Sequence, residues 1–265
     1  MKYDLHIHSN VSDGKLSREE IIKKAIELKL EYISFAEHNN FEILQKNNND
    51  KITFINCIEF DTKDDVSFHT LCYFLSINKD IENLILKYRE NINKSSYKLL
   101  KNIKDIYNID VNLKKLQQFS LKEFVTKRDI IDWLIYNGYA KTVNDAANTF
   151  TNKNSKSYYP KYSLDFSEVA DVINSSGGYV FLAHPISVKN NLEAIIKKLI
   201  PKGLNGIETT NTAKMSDEFS EYCKVIANKY ELLECGGSDF HDNNDFLGIN
   251  NDDSKELIKL LKSKT

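Results

Sequence analysis

The feature that most limits this chain is the return, at both of its ends, of short strand-like runs each followed by a loop and an amphipathic helix. Strands repeat hydrophobicity every two residues and helices every 3.6, so a regular switch between the two periods marks βα units. Residues 2–8 alternate as a strand. Ser17 and Glu20 then form a capping box ahead of EEIIKKAIELKL, whose Ile21, Ile22, Ala25, Ile26 and Leu28 share one helical face. Further strands are predicted in YISFA at 32–36, ITFINCIEF at 52–60 and VSFHTLCYFL at 66–75, with QKNNND at 45–50 as a solvated loop. After residue 160 the alternation resumes as helix SEVADVINSSGG, strand YVFLAHP, helix NNLEAIIKKLI, strand GIETT, helix SDEFSEYCKVIANKY and strand LLECGGSD. Gly177 and Gly178 stop the first of these helices. Repeated βα units predict an α/β fold with a parallel sheet, and about seven strands favour a closed or nearly closed barrel.

Between these halves, residues 79–160 are Lys- and Asn-rich with long helical periodicity and few strand signals. The expected organisation is therefore one barrel domain from 1–78 and 161–265, with an inserted helical subdomain at 79–160. Lys+Arg 36 against Asp+Glu 38 gives a formal net charge of -2, which is not the basic field of a duplex-DNA binder. The start MKYDLHIHSN is too polar for a signal peptide, and no apolar run approaches the ~18 residues of a spanning helix. A cytoplasmic protein with no membrane partner is expected. Cys57, Cys72, Cys223 and Cys235 lack any CxxC spacing and sit in apolar surroundings, as reduced buried thiols would.

The chemistry is concentrated in six histidines: His6, His8, His38, His69, His184 and His241. Every one lies in or just beyond a predicted strand, and none falls on the long helices of the insertion. A lone histidine at a strand end is commonly just a hydrogen-bonded residue, but this joint placement points to a shared site. Residues two apart in a strand face the same way, so His6 and His8 project together, as do Asp239 and His241 if the strand continues that far. In βα barrels the active site forms at the carboxyl ends of the strands, where His8, His38, His184 and Asp239 would fall. Imidazoles and carboxylates gathered there suit a polynuclear Zn²⁺, Mn²⁺ or iron site.

The segments HIHSNVSDG at 6–14, EH at 37–38, IEF at 58–60, FHTLCYF at 68–74, FLAHP at 181–185 and GGSDFH at 236–241 resemble the motifs of the PHP (polymerase and histidinol phosphatase) family, in the family's order. The resemblance implies a distorted (β/α)₇ TIM-like barrel of the PHP type that holds two or three divalent metal ions and hydrolyses phosphate esters with a metal-activated hydroxide. Within the family, the SDG after HxH, the helical insertion and the late SDFH…LG are similar to the branch of nucleotide phosphatases and 5′-3′ exoribonucleases. The substrate class this implies is a nucleoside 3′,5′-bisphosphate or a short 5′-phosphorylated RNA. A histidinol-phosphate or other small-molecule phosphatase is the alternative, and a structural module of a larger assembly is a third, disfavoured by the full set of ligands.

Carried over position by position, the resemblance implies His6, His8, Glu59 and Asp239 around one ion, Glu59, His69 and His184 around a second, and Asp13, His38 and His241 around a third. Glu59 would bridge two ions, since each carboxylate oxygen has free lone pairs. Asp13 before Gly14 also suits an Asx-type turn. His241 is the candidate acid for the leaving alkoxide. Two departures stand out. Glu37 replaces the Asp that many relatives have before the third histidine, so a contact that orients ligands is expected to be rearranged with the ligands themselves kept. In the insertion, TKRDII at 126–131 carries Asp129 where relatives have the histidine of an Arg-Pro-His type motif. Arg128, one of three arginines, and Lys127 are candidates to grip a phosphate; an exposed basic pair is the other reading. Tyr158 or Tyr159 would stack a base or simply pack.

Overall fold

The computed structural model describes residues 1–38, 51–243 and 245–263, so the loop expected at 45–50 lies outside the described residues. The described strands are β1 (Lys2–Ile7), β2 (Tyr32–Phe35), β3 (Thr53–Phe54), β4 (Asn56–Lys63), β5 (Ser67–Phe74), β6 (Leu164–Asp165), β7 (Tyr179–Leu182), β8 (Gly206–Asn211), β9 (Leu233–Gly237) and β10 (Ile249–Asn250). The helices are α1 (Arg18–Glu27), α2 (Lys79–Tyr107), α3 (Leu113–Ser120), α4 (Lys127–Tyr136), α5 (Val143–Ala146), α6 (Phe166–Ser175), α7 (Leu192–Leu199), α8 (Asp217–Lys229) and α9 (Lys255–Ser263). Two compact units divide the chain, Met1–Leu84 with Ser163–Thr265, and Ile85–Tyr162. The division falls inside α2, whereas composition suggested residue 78/79.

In the first unit the strands form two sheets, in the orders β10-β1-β2-β3 and β6-β4-β5-β7-β8-β9. Most neighbours pair in parallel, as repeated βα units require, but β5 runs antiparallel to both β4 and β7. The cause is local: only residues 64–66 separate β4 from β5, far too few for a crossover, so the chain turns back as a hairpin. This corrects the expectation of a parallel sheet throughout. The single strand expected at 52–60 is also divided at Ile55, with β3 pairing β2 and β4 pairing β5. The short β6, β10 and the C-terminal α9 were not foreseen.

Tyr3, Leu5, Cys57, Leu71, Tyr73, Phe181, Ala183 and Cys235 form the buried core inside these strands. The same faces turn polar toward the site. Two residues beyond Cys57 comes Glu59, and two before Leu71 comes His69, since alternate residues share a face. All four cysteines are free and buried, and burial pushes their thiols up. Close strand approach depends on Gly237: a Cβ there would lie 2.1 Å from His6 Cβ. Ser17 and Glu20 form the expected capping box at α1.

The second unit is helical. Leu99, Ile103, Leu116, Ile130, Leu134 and Phe150 are among its buried core residues. Asn112, Thr126 and Thr142 cap α3, α4 and α5 by accepting backbone N–H bonds. Among the described residues, no helix is long and apolar enough to cross a membrane.

Candidate metal centre

All nine residues singled out in the sequence as ligands lie in the first unit, and the fold brings them together. His6 is in β1 and His8 one residue past its end; His38 follows β2, Glu59 lies in β4, His69 in β5, His184 follows β7, and Asp239 and His241 follow β9. His69 reaches this end because β5 is reversed, which sets its first residues beside the carboxyl ends of its neighbours.

Glu59 is the hub. Its Oε1 lies 2.9 Å from His69 Nδ1 and 3.0 Å from His184 Nε2, and its Oε2 lies 3.4, 3.2 and 3.3 Å from Nε2 of His6, His8 and His38. Asp239 Oδ1 approaches His6, His8 and His241 at 3.5, 3.3 and 3.5 Å. Asp13 faces His8, His38 and His241 at 3.6, 3.9 and 3.5 Å. This leaves the side chain of Asp13 engaged with the histidines, not with a local Asx turn. Imidazole rings stack or meet edge-on throughout, with His8 and His241 centroids 4.4 Å apart and His69 and His184 5.0 Å apart.

Strand geometry does not continue to Asp239 and His241, as their alternation supposed. Asp239 has φ 55 and His184 has φ 24, left-handed backbone that costs a non-glycine residue about 1–3 kcal/mol. Asp4, buried, holds this turn in place by accepting N–H bonds from Ser238 and Gly248 at 2.9 and 2.8 Å; burial raises its pKa to about 6 despite those bonds. Gly14 is required because a Cβ there would lie 2.4 Å from the His8 carbonyl oxygen.

The electrostatics show a site short of positive charge. Burial opposes charging of His6, His8 and His69, yet surrounding carboxylates outweigh it, raising His6 well above its ordinary range, His8 to about 10 and His69 to about 9. Burial also works against the Glu59, Asp13 and Asp239 carboxylates, but the histidines hold all three well below the usual range. His38 is the exception: burial dominates and lowers it to about 4. Nδ1 of His8 and Nδ1 of His38 are buried without a hydrogen-bond partner. Among the described residues, His6/His8/Glu59, His8/Asp13/His38, His8/Asp239/His241 and His38/Glu59/His69 each place their donor atoms within 4.8 Å of one another. Orphaned imidazole nitrogens, converging carboxylates and the absence of thiolates fit divalent ions.

Three supporting residues were not read from the sequence. Glu208 of β8, fully buried, accepts from His6 Nδ1 at 2.9 Å, from the His184 backbone N–H at 2.5 Å and from Asn211 Nδ2 at 3.2 Å. Asn211 is the second. Lys214, on the loop after β8, ion-pairs with Asp239; burial disfavours its charge, but Asp239 and Glu59 raise its pKa overall. At Glu37 the contact differs from one that orients a ligand side chain: its backbone carbonyl accepts the Glu59 N–H at 3.3 Å. Its carboxylate gathers the 9–18 segment, accepting from Ser9 N–H at 3.2 Å, Ser12 Oγ at 2.5 Å and Arg18 Nε at 3.3 Å.

The candidate residues of the insertion lie in the second unit. Asp129 is the third residue of α4 and closes a capping box with Thr126, with Lys122 3.2 Å away. Arg128 is exposed and pairs with Asp132 one turn on at 2.9 Å. Lys127 Nζ lies 4.8 Å from the Tyr158 ring centroid, and Tyr159 Oη accepts from Lys98 at 3.0 Å.

A buried set of imidazoles and carboxylates at strand ends defines the class of metal-dependent phosphoester hydrolases in this fold family. The PHP domain matches residues 4–150, and the chain belongs to that family. It is 22% identical over 255 residues to the 5′-3′ exoribonuclease Rnm of Escherichia coli (strain K12), covering 90% of this chain and 85% of that protein. A protein of Bifidobacterium adolescentis assigned as a metal-dependent phosphoesterase shares the fold with a TM-score of 0.81, 24% identity and 98% and 95% coverage of the two chains. An amidohydrolase from Chromobacterium violaceum, solved with bound sulfate and no metal, does so at TM-score 0.78, 17% identity and 94% and 91% coverage.

Proposed function

We propose that this enzyme hydrolyses a phosphate ester of a nucleotide, either a nucleoside 3′,5′-bisphosphate or the 5′ end of a short RNA. The observation that carries the reading is the convergence of all six histidines on Glu59 and Asp239, joined to the likeness to an exoribonuclease over most of both chains. The strands that bear the donors are read as a distorted seven-stranded TIM-like barrel. The isolated parallel bridges Ile7↔Phe240 and His38↔Glu59, between residues in or just after strands of the two sheets, support reading the strand order as β1-β2-β4-β5-β7-β8-β9. Residues 1–78 and 161–265 are its domain, and 79–160 are an insertion that shapes substrate choice.

His6, His8, Glu59 and Asp239 are proposed for one ion, Glu59, His69 and His184 for a second, and Asp13, His38 and His241 for a third. Manganese, zinc or iron(II) suits these donors. When bound, such ions lower the pKa of water toward neutrality and offset charge on the phosphate oxygens. The chain's own part is orientation and proton transfer. Glu208 fixes the His6 ring through Nδ1, leaving Nε2 toward Glu59. His241 donates its Nδ1–H to the Asp239 carbonyl at 2.7 Å, so its one remaining nitrogen, Nε2, would serve either as a donor to the third ion or, where only two ions are held, as the carrier of the proton for a leaving alkoxide. With two ions bound per chain, His241→Asn should lose the basic limb of the pH–rate profile, and a retained limb would remove that role.

Lys127 and Arg128 are the proposed phosphate contacts of the insertion, with Tyr158 or Tyr159 as base-stacking surfaces. A tenfold rise in KM for Arg128→Ala would support this, and an unchanged KM would leave Arg128 as the partner of Asp132. The deciding test is phosphate release by manganese-loaded protein from adenosine 3′,5′-bisphosphate, a short 5′-phosphorylated RNA and histidinol phosphate, with His8→Ala as control. Preference for either nucleotide, lost in the control, supports the proposal; preference for histidinol phosphate transfers the same site to the small-molecule reading.

A further inference from the structure

We propose that Lys214 is a phosphate-binding residue of this site, docked on Asp239 until a cation takes its place. The inference deepens the phosphoester reading above and rests on it. Lys214 follows β8 on a short turn, and its ammonium pairs with Asp239 Oδ2. Its side chain is 41% exposed while that of Asp239 is 1% exposed, so the lysine stands at the mouth of the centre with its charged end turned inward. Other surface lysines of this chain pair with exposed acids, as Lys101 does with Asp105. Lys214 instead meets a carboxylate that already has His6, His8 and His241 around it.

The turn is built to hold this position. Lys214 N–H donates to Asn211 Oδ1 at 3.0 Å and Met215 N–H to the Asn211 carbonyl at 2.9 Å. Asn211 Nδ2 in turn donates to both oxygens of Glu208, the carboxylate that orients His6 and accepts the His184 N–H. One buried acid therefore fixes two proposed metal ligands and the turn that carries the lysine. A divalent ion at Asp239 repels an adjacent ammonium, and the same turn keeps the freed ammonium beside the ion. The group that suits a metal and an ammonium together is a phosphate dianion, whose oxygens exceed what the ions alone engage. Lysine's compact, rotatable charge fits that role.

The test uses inorganic phosphate as the probe. Manganese-loaded wild type, Lys214→Met and Lys214→Arg are titrated with phosphate by calorimetry, with bound manganese counted in each. Methionine keeps the length of the stem without its charge. The expected result is equal metal content, phosphate affinity about tenfold weaker in Lys214→Met, and most of the loss restored in Lys214→Arg. KM for the phosphoester should rise more than kcat falls. Equal phosphate affinity in wild type and Lys214→Met overturns the proposal, as does a loss of manganese from that variant, which would make the lysine a support for the ligands. Phosphate binding reads Lys214 without reference to the substrate, so a protein that hydrolyses none of the three esters while losing phosphate affinity in Lys214→Met refutes the nucleotide reading alone.

Discussion

At the start of α4, in the helical unit, polar side chains bond close to home: Thr126 and Asp129 cap the helix they adjoin, three residues apart. In the other unit the polar bonds of the site span the chain, with His6 and Glu208 202 residues apart and His184 and Glu59 125 apart. The contrast separates two uses of polar groups. A cap satisfies backbone that the helix itself leaves open and adds stability. A buried cluster of imidazoles and carboxylates, two of them on left-handed backbone, costs stability and persists where a ligand repays it.

Removing the hub should give the largest effect. Glu59→Gln keeps the size of the side chain but withdraws charge from five histidines, and should lower phosphoester hydrolysis by more than about 100-fold with loss of bound metal. Metal analysis alongside phosphate release checks this. Full metal content with near-normal turnover would show that the cluster does not hold the catalytic ions.

The second prediction sets the metal-free protein against its metal-loaded form. His8 and His69 have folded pKa values of about 10 and about 9, raised above 6.5. Their stabilising contribution is present in full below pH 6.5 and is lost as pH rises through 9 to 10. Ions displace these protons, so the metal-loaded protein lacks this loss. Between pH 7 and 10 the melting temperature of the metal-free protein should fall by roughly 5–10 °C more than that of the manganese-loaded protein. Common titrations of tyrosine and lysine cancel in the difference. Parallel pH curves would mean that the imidazoles are not protonated in the empty centre.

Glu208 gives an intermediate effect. Glu208→Gln retains an acceptor for the His6 ring but removes the charge, and manganese affinity should weaken about 10- to 100-fold with the fold intact. Competition with a chelator measures it. An unchanged affinity would make Glu208 a support for the Asn211 turn alone.

These supports show where sequence reading stopped. The histidines could be found because strand periodicity and their absence from helices are local patterns, and the βα alternation gave the order of elements. Glu208 could not, because one acid in GIETT looks like any other until β8 is set beside β7 and β1. Lys214 is hidden among many lysines for the same reason. The reversal of β5 is different: the two strands predicted at 52–60 and 66–75 leave only residues 61–65 between them, which already excludes a crossover, so that signal is present and is outweighed by the general alternation. Glu37 was marked as a departure, but only the fold shows that it holds Ser9, Ser12 and Arg18. TKRD at 126–129 carried a local signal as well, a capping pair that explains Asp129 without a ligand role.

The smallest effect follows from that pair and returns to the first contrast. In α4 the Thr126 hydroxyl accepts the Asp129 N–H while the Asp129 carboxylate accepts the Thr126 N–H at 2.7 Å, and Lys122 approaches the other carboxylate oxygen. Thr126→Ala removes one half of this exchange and should cost about 1 kcal/mol of stability. Because Thr126 is not itself among the proposed phosphate contacts and Lys127 and Arg128 keep their side chains, manganese content should not change and the affinity for inorganic phosphate should change little. Chemical denaturation of the metal-loaded protein, read beside phosphate titration, separates the two effects. A variant that keeps its stability but loses phosphate affinity would give the cap its main part in holding Lys127 and Arg128 for the substrate.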